Sequence, residues 1–484
     1  MEISKNAIRQ IGPYEWLIEE KQFPGMHVPV VLFMQESMLN ESLNDRSIVQ
    51  AIHAASIPGV VNKVCVMPDM HQGYGFPIGG VAATSVEEGV VVPGAIGYDI
   101  NCGVRFLSSS ITEEALMPFI DALLDEINNA CPSGVGKGGR FRITKSDLER
   151  VCQSGVNWAR ENNMLEKDGH LYIEDYGNIK PDDLDGISKK AFDRGLHQLG
   201  SLGAGNHFIE IDIIRHIFDD RIAEAFGLKE GMVAVQIHSG SRGFGHQICT
   251  DFVRLFNDQM DQFKYDIPDR ELACAPVQSR LGRRYISAMN AAANYAFVNR
   301  QLLAYSVSEA FSNILEKNGT VSNLSTVYDL AHNIGKLERI KNHGKLEEVF
   351  IHRKGATRCL GPGNNYLPEV YIKTGQPVLV PGSMGTQSWV LVGTSTAEEK
   401  SMNSCCHGAG RVLSRSKARK KIHGPDVVNN LGKRGIKIVA GSQRMLSEEA
   451  PQAYKDVNAV VDTIEGVGIA KKVAVLTPIA VVKG

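Results

Sequence analysis

The sequence predicts a mixed α/β protein, and three observations carry that prediction. Apolar runs of strand character at residues 60–67 and 232–237, and again at Val327-Tyr328, alternate with helical stretches at 47–56, 112–130, 146–165 and 284–316. Between them lie dense groups of Gly, Pro, Ser and Asn that interrupt regular structure. A composition of 43% hydrophobic and 22% charged residues is that of a globular chain able to bury a large core. On length alone, 484 residues admit about three average domains or one large α/β or mixed domain with insertions.

In chain order, the first helix, Ser47 to Ser56, ends at Ile57-Pro58-Gly59, which cannot continue it. The strand-like run Val60 to Met67 leads into Pro68 to Gly80, where the density of breakers predicts a loop. His71 in that loop is a candidate ligand or substrate contact, read more simply as structural. The helices 112–130 and 146–165 flank Cys131 to Gly139. A phosphate-binding P-loop needs a glycine five residues before its Gly-Lys and a Ser or Thr after it. Cys131 and Gly138 hold those places, so a flexible basic loop is expected instead. Gly200 to Gly205 likewise misses the dinucleotide-binding order GxGxxG. The run 232–237 delivers His238 into Ser239 to Gly243, and the Ala-rich helix 284–316 is expected to supply core. The strand-like Val327-Tyr328 precedes His332. No internal repeat, low-complexity tract or clear linker marks a domain boundary.

A net charge of −2 removes whole-chain basicity as an argument for a nucleic-acid partner, so any such contact must be local. Local basic groups occur at Lys137 to Lys145, Arg280 to Arg284 and Arg411 to His423; the simplest reading of each is a solvated face. Nine scattered cysteines with no CxxC pair argue against a disulfide framework and for a reducing compartment. With no apolar leader after Met1 and no membrane-length apolar run, a cytoplasmic location without membrane contact is expected.

The chemistry concentrates in a few glycine-rich stretches. Asp99 and Cys102 stand three apart in Gly94 to Arg105, where a tight turn can aim a carboxylate oxygen and a thiolate at one point. His207, His238 and His332 each sit between small residues in later segments. Five such ligands exceed one tetrahedral site, but a thiolate bridging two ions could serve two three-ligand sites with open positions. Paired divalent ions suit phosphoryl chemistry, and His407, flanked by Gly408, Ala409, Gly410 and Arg411, fits a nucleophile that carries a phosphoryl or nucleotidyl group. Any single histidine of this set is otherwise explained as a hydrogen-bonded structural residue.

The stretches GAIGYDINCGVR (94–105), LGAGNHFIE (202–210), QIHSGSRGFGHQ (236–247), DLAHNIG (329–335), FIHRKGATR (350–358), VPGSMGTQSWV (380–390), SCCHGAGR (404–411) and the final VVKG together resemble the RtcB family of GTP-dependent RNA ligases. The resemblance runs from about residue 60 onward, while residues 1–59 match loosely. It implies a large single-domain α/β fold (1–484) with a central metal-lined pocket and two Mn²⁺ ions. Asp99, Cys102 and His207 would hold one ion, and Cys102, His238 and His332 the other. Spacing alone does not select manganese over zinc. His407 would become guanylylated. GTP would contact Asn206, His207, Phe208, Ile209, Glu210, His332, Asn333, Pro381, Gly382, Ser383, Met384, Ser388, His407, Gly408, Ala409, Gly410 and Lys483.

The implied reaction begins when His407 attacks the α-phosphorus of GTP. GMP then passes to an RNA 3′-phosphate, and a 5′-hydroxyl attacks the activated end to seal the strand. A 2′,3′-cyclic phosphate is first opened. Arg242, Arg353 and Arg411 are expected to grip RNA phosphates, since guanidinium forks suit that geometry. The substrate would be tRNA halves or other cleaved RNA, with archease as an activating partner of some family members and the monomer as the expected state. The Cys405-Cys406 pair before His407 is unusual, because its thiols could compete for soft metals or oxidise. Two other readings remain open at this point, a dinuclear metallohydrolase that only opens cyclic phosphates and a non-catalytic RNA-binding protein.

Overall fold

A computed structural model describes residues 3–134, 136–321, 323–342 and 344–484. The fold is mixed α/β, built on two large sheets. In the first, the order is Arg9–Gly12, Glu15–Ile18, Val30–Phe33, Val60–His71, Ile78–Ser85, Lys345–Lys354, Asn333–Asn342. All neighbours are antiparallel except Val30–Phe33 and Val60–His71, which run parallel. Residues 3–59 thus contribute three strands, and Val30–Phe33 is wholly buried.

The second sheet runs Leu324–Ala331, Gly103–Thr112, Met232–Ser239, Phe208–Ile217, Ala470–Lys483, Ser388–Gly393, Pro377–Val380, with Lys437–Ala440 added parallel to Ala470–Lys483. Ile209, Ile211 and Ile213 face a helical layer, where they pack with Leu123, Leu303 and Val307, while Phe208, Glu210 and Asp212 face the other way by the two-residue period of a strand. Leu123 belongs to the helix Ile120–Ala130, and the other two to Arg280–Leu315.

That second helix is the longest element, about 54 Å at 1.5 Å per residue. Ser279 starts it by accepting a hydrogen bond from the Gly282 N–H at 3.0 Å, and its Ala-rich middle lets other elements pack closely on most of its surface. The predicted helix 146–165 is instead two helices, Lys145–Ser154 and Val156–Glu161, because Gly155 between them takes φ +53° and ψ −135°, which no helix can contain. Cys131 to Gly139 carries no regular element among its described residues, and Val135 lies outside them. Pro68 to His71, expected in a loop, continues the strand from Val60. The pairing explains how: Val66 faces Gly80 and His71 faces Ile78, so five steps on one strand match two on the other and Asp69 is thrown out of the ladder.

Beneath the second sheet lies a buried charge cluster. Asp329 accepts from Arg105 Nε at 2.8 Å on one oxygen, and from Arg300 Nε and Nη2 at 2.9 and 2.7 Å on the other. All three side chains are fully buried. Arg300 Nη1 then donates to the carbonyls of Asn101 and Ser239 at 2.7 and 3.0 Å, and the adjacent Asn299 Nδ2 donates to Ser201 O at 3.2 Å and Ser239 Oγ at 3.1 Å. One stretch of helix therefore ties three separate loops together. Removing the carboxylate would leave two guanidinium ions buried without a counter-charge, so Asp329→Ala is expected to lose about 3–5 kcal/mol of stability. Urea unfolding measures this, and a variant as stable as the parent contradicts the account.

Candidate functional site: a thiolate-centred ligand cluster beside a glycine-lined pocket

Strand register brings the candidate ligands together. Gly103 pairs with Ala331 on one side and Ser239 on the other, and Phe208 pairs with His238. Cys102 immediately precedes Gly103, His332 follows Ala331, and His207 precedes Phe208. All four side chains therefore emerge at the same end of four adjacent strands. Lys483, paired with Phe208 on the next strand, joins the same row.

The cluster is tight. Cys102 Sγ lies 3.4 Å from His207 Nε2 and 3.3 Å from His238 Nε2; His238 Nε2 lies 3.3 Å from His332 Nε2, and His207 Nε2 lies 2.9 Å from Asp99 Oδ2. Two three-residue groups result, Asp99-Cys102-His207 and Cys102-His238-His332, and within each the ligand atoms are within 4.8 Å of one another. Gly240 is needed here: a Cβ on it would stand 2.4 Å from Asp99 Oδ1.

The donor set fits a cation. His207 Nδ1 lies 3.0 Å from Leu202 O and His238 Nδ1 3.2 Å from Asn206 O, so in each ring the proton sits on Nδ1 and Nε2 offers a bare lone pair to the cluster. Burial pushes the His207, His238 and His332 pKa values down, with Asp99 opposing at His207, which keeps the imidazoles neutral. Burial also favours neutral Asp99, but nearby positive charge, that of Arg242 included, holds the carboxyl well below the usual range. Lone pairs thus converge with few protons to separate them. Burial, then the charge of Asp99, pushes the Cys102 thiol well up, so at neutral pH without an ion it keeps its proton.

Next to the cluster opens a cavity of about 950 Å³. Its walls include Asp99, Cys102, His238 and His332, and also Asn206, Phe208, Glu210, Asn333, Pro381 to Met384, His407 to Gly410 and Lys483. Of the residues expected to contact nucleotide, three take no part in this lining. His207 is inside the ligand cluster, Ile209 turns into the core on the opposite sheet face, and Ser388 is buried behind the wall, where its Oγ accepts from Gly382 N at 3.0 Å. Lys483 is buried, lies 5.4 Å from the Phe208 ring centre, and is pushed down to about 8 by burial, with Glu449 and Glu210 opposing.

His407 follows the strand Ser404–Cys406, which pairs with Ala356–Arg358; the His407 ring centre is 4.9 Å from that of His332. Its partner is Asp69, on the bulge in Val60–His71. One Asp69 oxygen lies 2.5 Å from His407 Nδ1 and accepts from the backbone N–H groups of His407 and Gly408 at 3.0 and 3.3 Å. Gly410 (φ +73°) lets the loop close over Asp69, whose backbone oxygen would be 2.1 Å from a Cβ there. Asp69 was legible only as one residue of a predicted loop. Among breakers, a lone Asp carries no signal that distinguishes it from a turn residue.

The three arginines diverge. Arg353 does not reach RNA: it is fully buried, forked on Glu338 at 2.7 and 2.9 Å, and also donates to Ser404 Oγ at 2.8 Å. Arg411 lines the cavity, yet it donates to Leu413 O, Tyr454 OH, Glu448 O and Glu449. Arg242 is outside the cavity lining, with φ +53° and a contact to Ser201 Oγ at 3.4 Å. The basic stretch after Arg411 does reach the mouth, through Arg415, Lys417 and Arg419. His71 lines the cavity with Nδ1 3.0 Å from Asp69 O and belongs to neither ligand group; burial holds it down at about 3. The Cys405 and Cys406 sulfurs are 3.9 Å apart and buried, and burial pushes both thiols up, against thiolate chemistry there.

A cation-ligand cluster, an imidazole held by a buried carboxylate, and a nucleotide-sized cavity that both line define an enzyme of group transfer. The family is shown by comparison: residues 50–484 match the model of the family described as tRNA-splicing ligase RtcB. Among similar proteins, the tRNA-splicing ligase RtcB of Archaeoglobus fulgidus is 45% identical over 99% of each chain, and that of Pyrobaculum aerophilum 46% over 99% of each. The RNA-splicing ligase RtcB of Mycobacterium tuberculosis is 44% identical over 90% of this chain and all of its own. This chain belongs to the RtcB family and is an enzyme of the ligase class.

Because Cys102 stands in both ligand groups, Cys102→Ala is expected to abolish binding of both divalent ions, whereas His332→Ala should leave one. Metal analysis of the purified variants decides this, and a Cys102→Ala protein that keeps a full complement rejects the shared thiolate. The ion must displace the thiol proton, so binding should release a proton and the apparent affinity should rise with pH. Titration in buffers of different ionisation enthalpy reads that release.

Proposed function

We propose that this protein is a GTP-dependent RNA ligase that joins a 3′-phosphate or 2′,3′-cyclic phosphate end to a 5′-hydroxyl end, acting on tRNA halves or other cleaved RNA. The observation that carries the reading is the pair His407–Asp69 opening onto the same cavity as the ligand cluster. Asp69 accepts a hydrogen bond from the Nδ1–H of His407, which leaves Nε2 unprotonated as the nucleophile and gives the imidazolium formed on attack a counter-charge at 2.5 Å. A bond forms from Nε2 to the α-phosphorus of GTP as the bond to pyrophosphate breaks. The RNA 3′-phosphate then takes GMP from His407, and a 5′-hydroxyl displaces GMP as the strand is sealed.

In this proposal Asp99, Cys102 and His207 hold one Mn²⁺ and Cys102, His238 and His332 the other. When bound, the two ions supply Lewis-acid neutralisation of charge on the reacting phosphates. Lys483 and Glu210 take the guanine edge, while the backbone around Pro381 to Met384 and His407 to Gly410 lines the rest of the nucleotide site. Arg242 and the cavity-mouth cations Arg415, Lys417 and Arg419 meet RNA phosphates. The chain works as one ligase domain over residues 1–484, as a monomer, with archease as a candidate activator. All nine cysteines are free and buried, and among the described residues no helix is long and apolar enough to cross a membrane; both accord with cytoplasmic action.

A ligation assay pairing a 3′-phosphate with a 5′-hydroxyl end should need GTP, and α-labelled GTP with Mn²⁺ should label the protein through an acid-labile bond. His407→Ala should abolish the label. Asp69→Asn should slow labelling on the order of 10²-fold while metal content stays unchanged. End-opening without any nucleotide requirement and without ligation would support the hydrolase reading instead.

A further inference from the structure

Three aromatic rings run in a row from the cavity to the protein surface, and the nucleotide contacts proposed above use none of them. Tyr74 and Tyr98 both line the cavity. Their ring centres are 5.4 Å apart with planes at 72°, and the Tyr98 ring continues to that of His246 at 5.1 Å and 34°. The two tyrosines are half-buried and His246 is exposed. The row begins beside the reacting centre, since Tyr98 directly precedes the cation ligand Asp99. It ends on the helix Arg242–Phe263, where His246 stands one turn after Arg242.

Neither tyrosine ring is needed to hold its own loop. Tyr74 is at the tip of the hairpin between Val60–His71 and Ile78–Ser85, and that tip is pinned through its backbone. Gln50 donates to Gly73 O at 2.7 Å and accepts from Gly73 N at 3.0 Å, Glu271 accepts from Gly75 N at 2.5 Å, and Lys354 Nζ donates to Tyr74 O at 2.6 Å. The same lysine donates to Gly94 O at 2.8 Å, which ties the hairpin tip to the stretch that bears Tyr98. Just past that ring, Asn333 Nδ2 donates to Asp99 O at 3.2 Å. Both rings are thus presented in place by contacts in which their side chains take no part, and a ligand that lies on them loses little to ordering the protein.

The ligand that suits such a row is an unpaired nucleobase. Every base has a π-face, so stacking on aromatic rings accepts any sequence, and Arg242 beside the row offers a guanidinium to the attached phosphates. We propose that Tyr74, Tyr98 and His246 form the stacking platform for the terminal unpaired bases of an RNA end, with Tyr98 taking the last base and so setting the reacting group of that end beside the cation ligands. This inference rests on the ligase reading given above and adds where the bases of the RNA go.

The test uses the Mn²⁺-loaded protein and two short single-stranded RNAs, one ending in a 3′-phosphate and one in a 5′-hydroxyl, each with 2-aminopurine, whose fluorescence falls on stacking, as its terminal base. At least one strand should be quenched on binding, which identifies the end that the platform holds. For that strand Tyr98→Phe should keep the quenching, whereas Tyr98→Ala should lose it and weaken binding roughly 10-fold, with KM for that strand rising more than kcat falls. The same RNA with an abasic terminal nucleotide should bind the parent about as weakly as the intact RNA binds Tyr98→Ala, and should lose nothing further in that variant. If Tyr98→Ala loses its metal through displacement of Asp99, Tyr74→Ala carries the same comparison. Bound RNA whose terminal base is unquenched in both strands, or additive losses from the variant and the abasic end, overturns the platform. A parent protein that binds neither RNA overturns the ligase reading instead.

Discussion

The alignment of four strand ends is the constraint on which the site depends. Cys102, His207, His238 and His332 are separated by up to 230 residues in the chain, yet Gly103↔Ala331, Gly103↔Ser239 and Phe208↔His238 put them at one edge of one sheet. A slip of one residue in any of these pairings would turn a ligand to the opposite face. Register is therefore held in two ways: by the apolar residues under the sheet, and by Arg300 and Asn299, which bind the backbone of the ligand-bearing loops directly.

The same arrangement explains how a buried cluster can be both neutral and receptive. Backbone carbonyls fix the Nδ1 protons of His207 and His238, which decides where their lone pairs point before any ligand arrives. The cost of placing a thiol among imidazoles at that depth is set against its readiness to lose a proton to a cation. At the neighbouring His407 the logic inverts, since Asp69 is held by two backbone N–H groups and meets that ring as an acceptor already in place.

Much of this was legible in the sequence, and the limits have physical causes. Asp99, Cys102 and the three histidines were found because each sits among small residues, which lets ligands approach, and the structure gathers all five. The strand at 232–237 and the long helix announced themselves by apolar patterning and alanine content. Asp69 was hidden because a bulge looks like a loop when its partner strand is unknown. Arg353 was misread because its type suits phosphate, whereas its burial depends on Glu338, fifteen residues away across a hairpin.

The strand Ala470–Lys483 lies in the middle of its sheet, between Phe208–Ile217 and Ser388–Gly393, and it ends at Lys483 beside His207. During synthesis on the ribosome the earlier strands must therefore wait with a gap between them, exposing unpaired edges until that segment emerges. A nascent chain of this protein cannot complete its site early, because the slot that Ala470–Lys483 fills stays open until that segment has emerged.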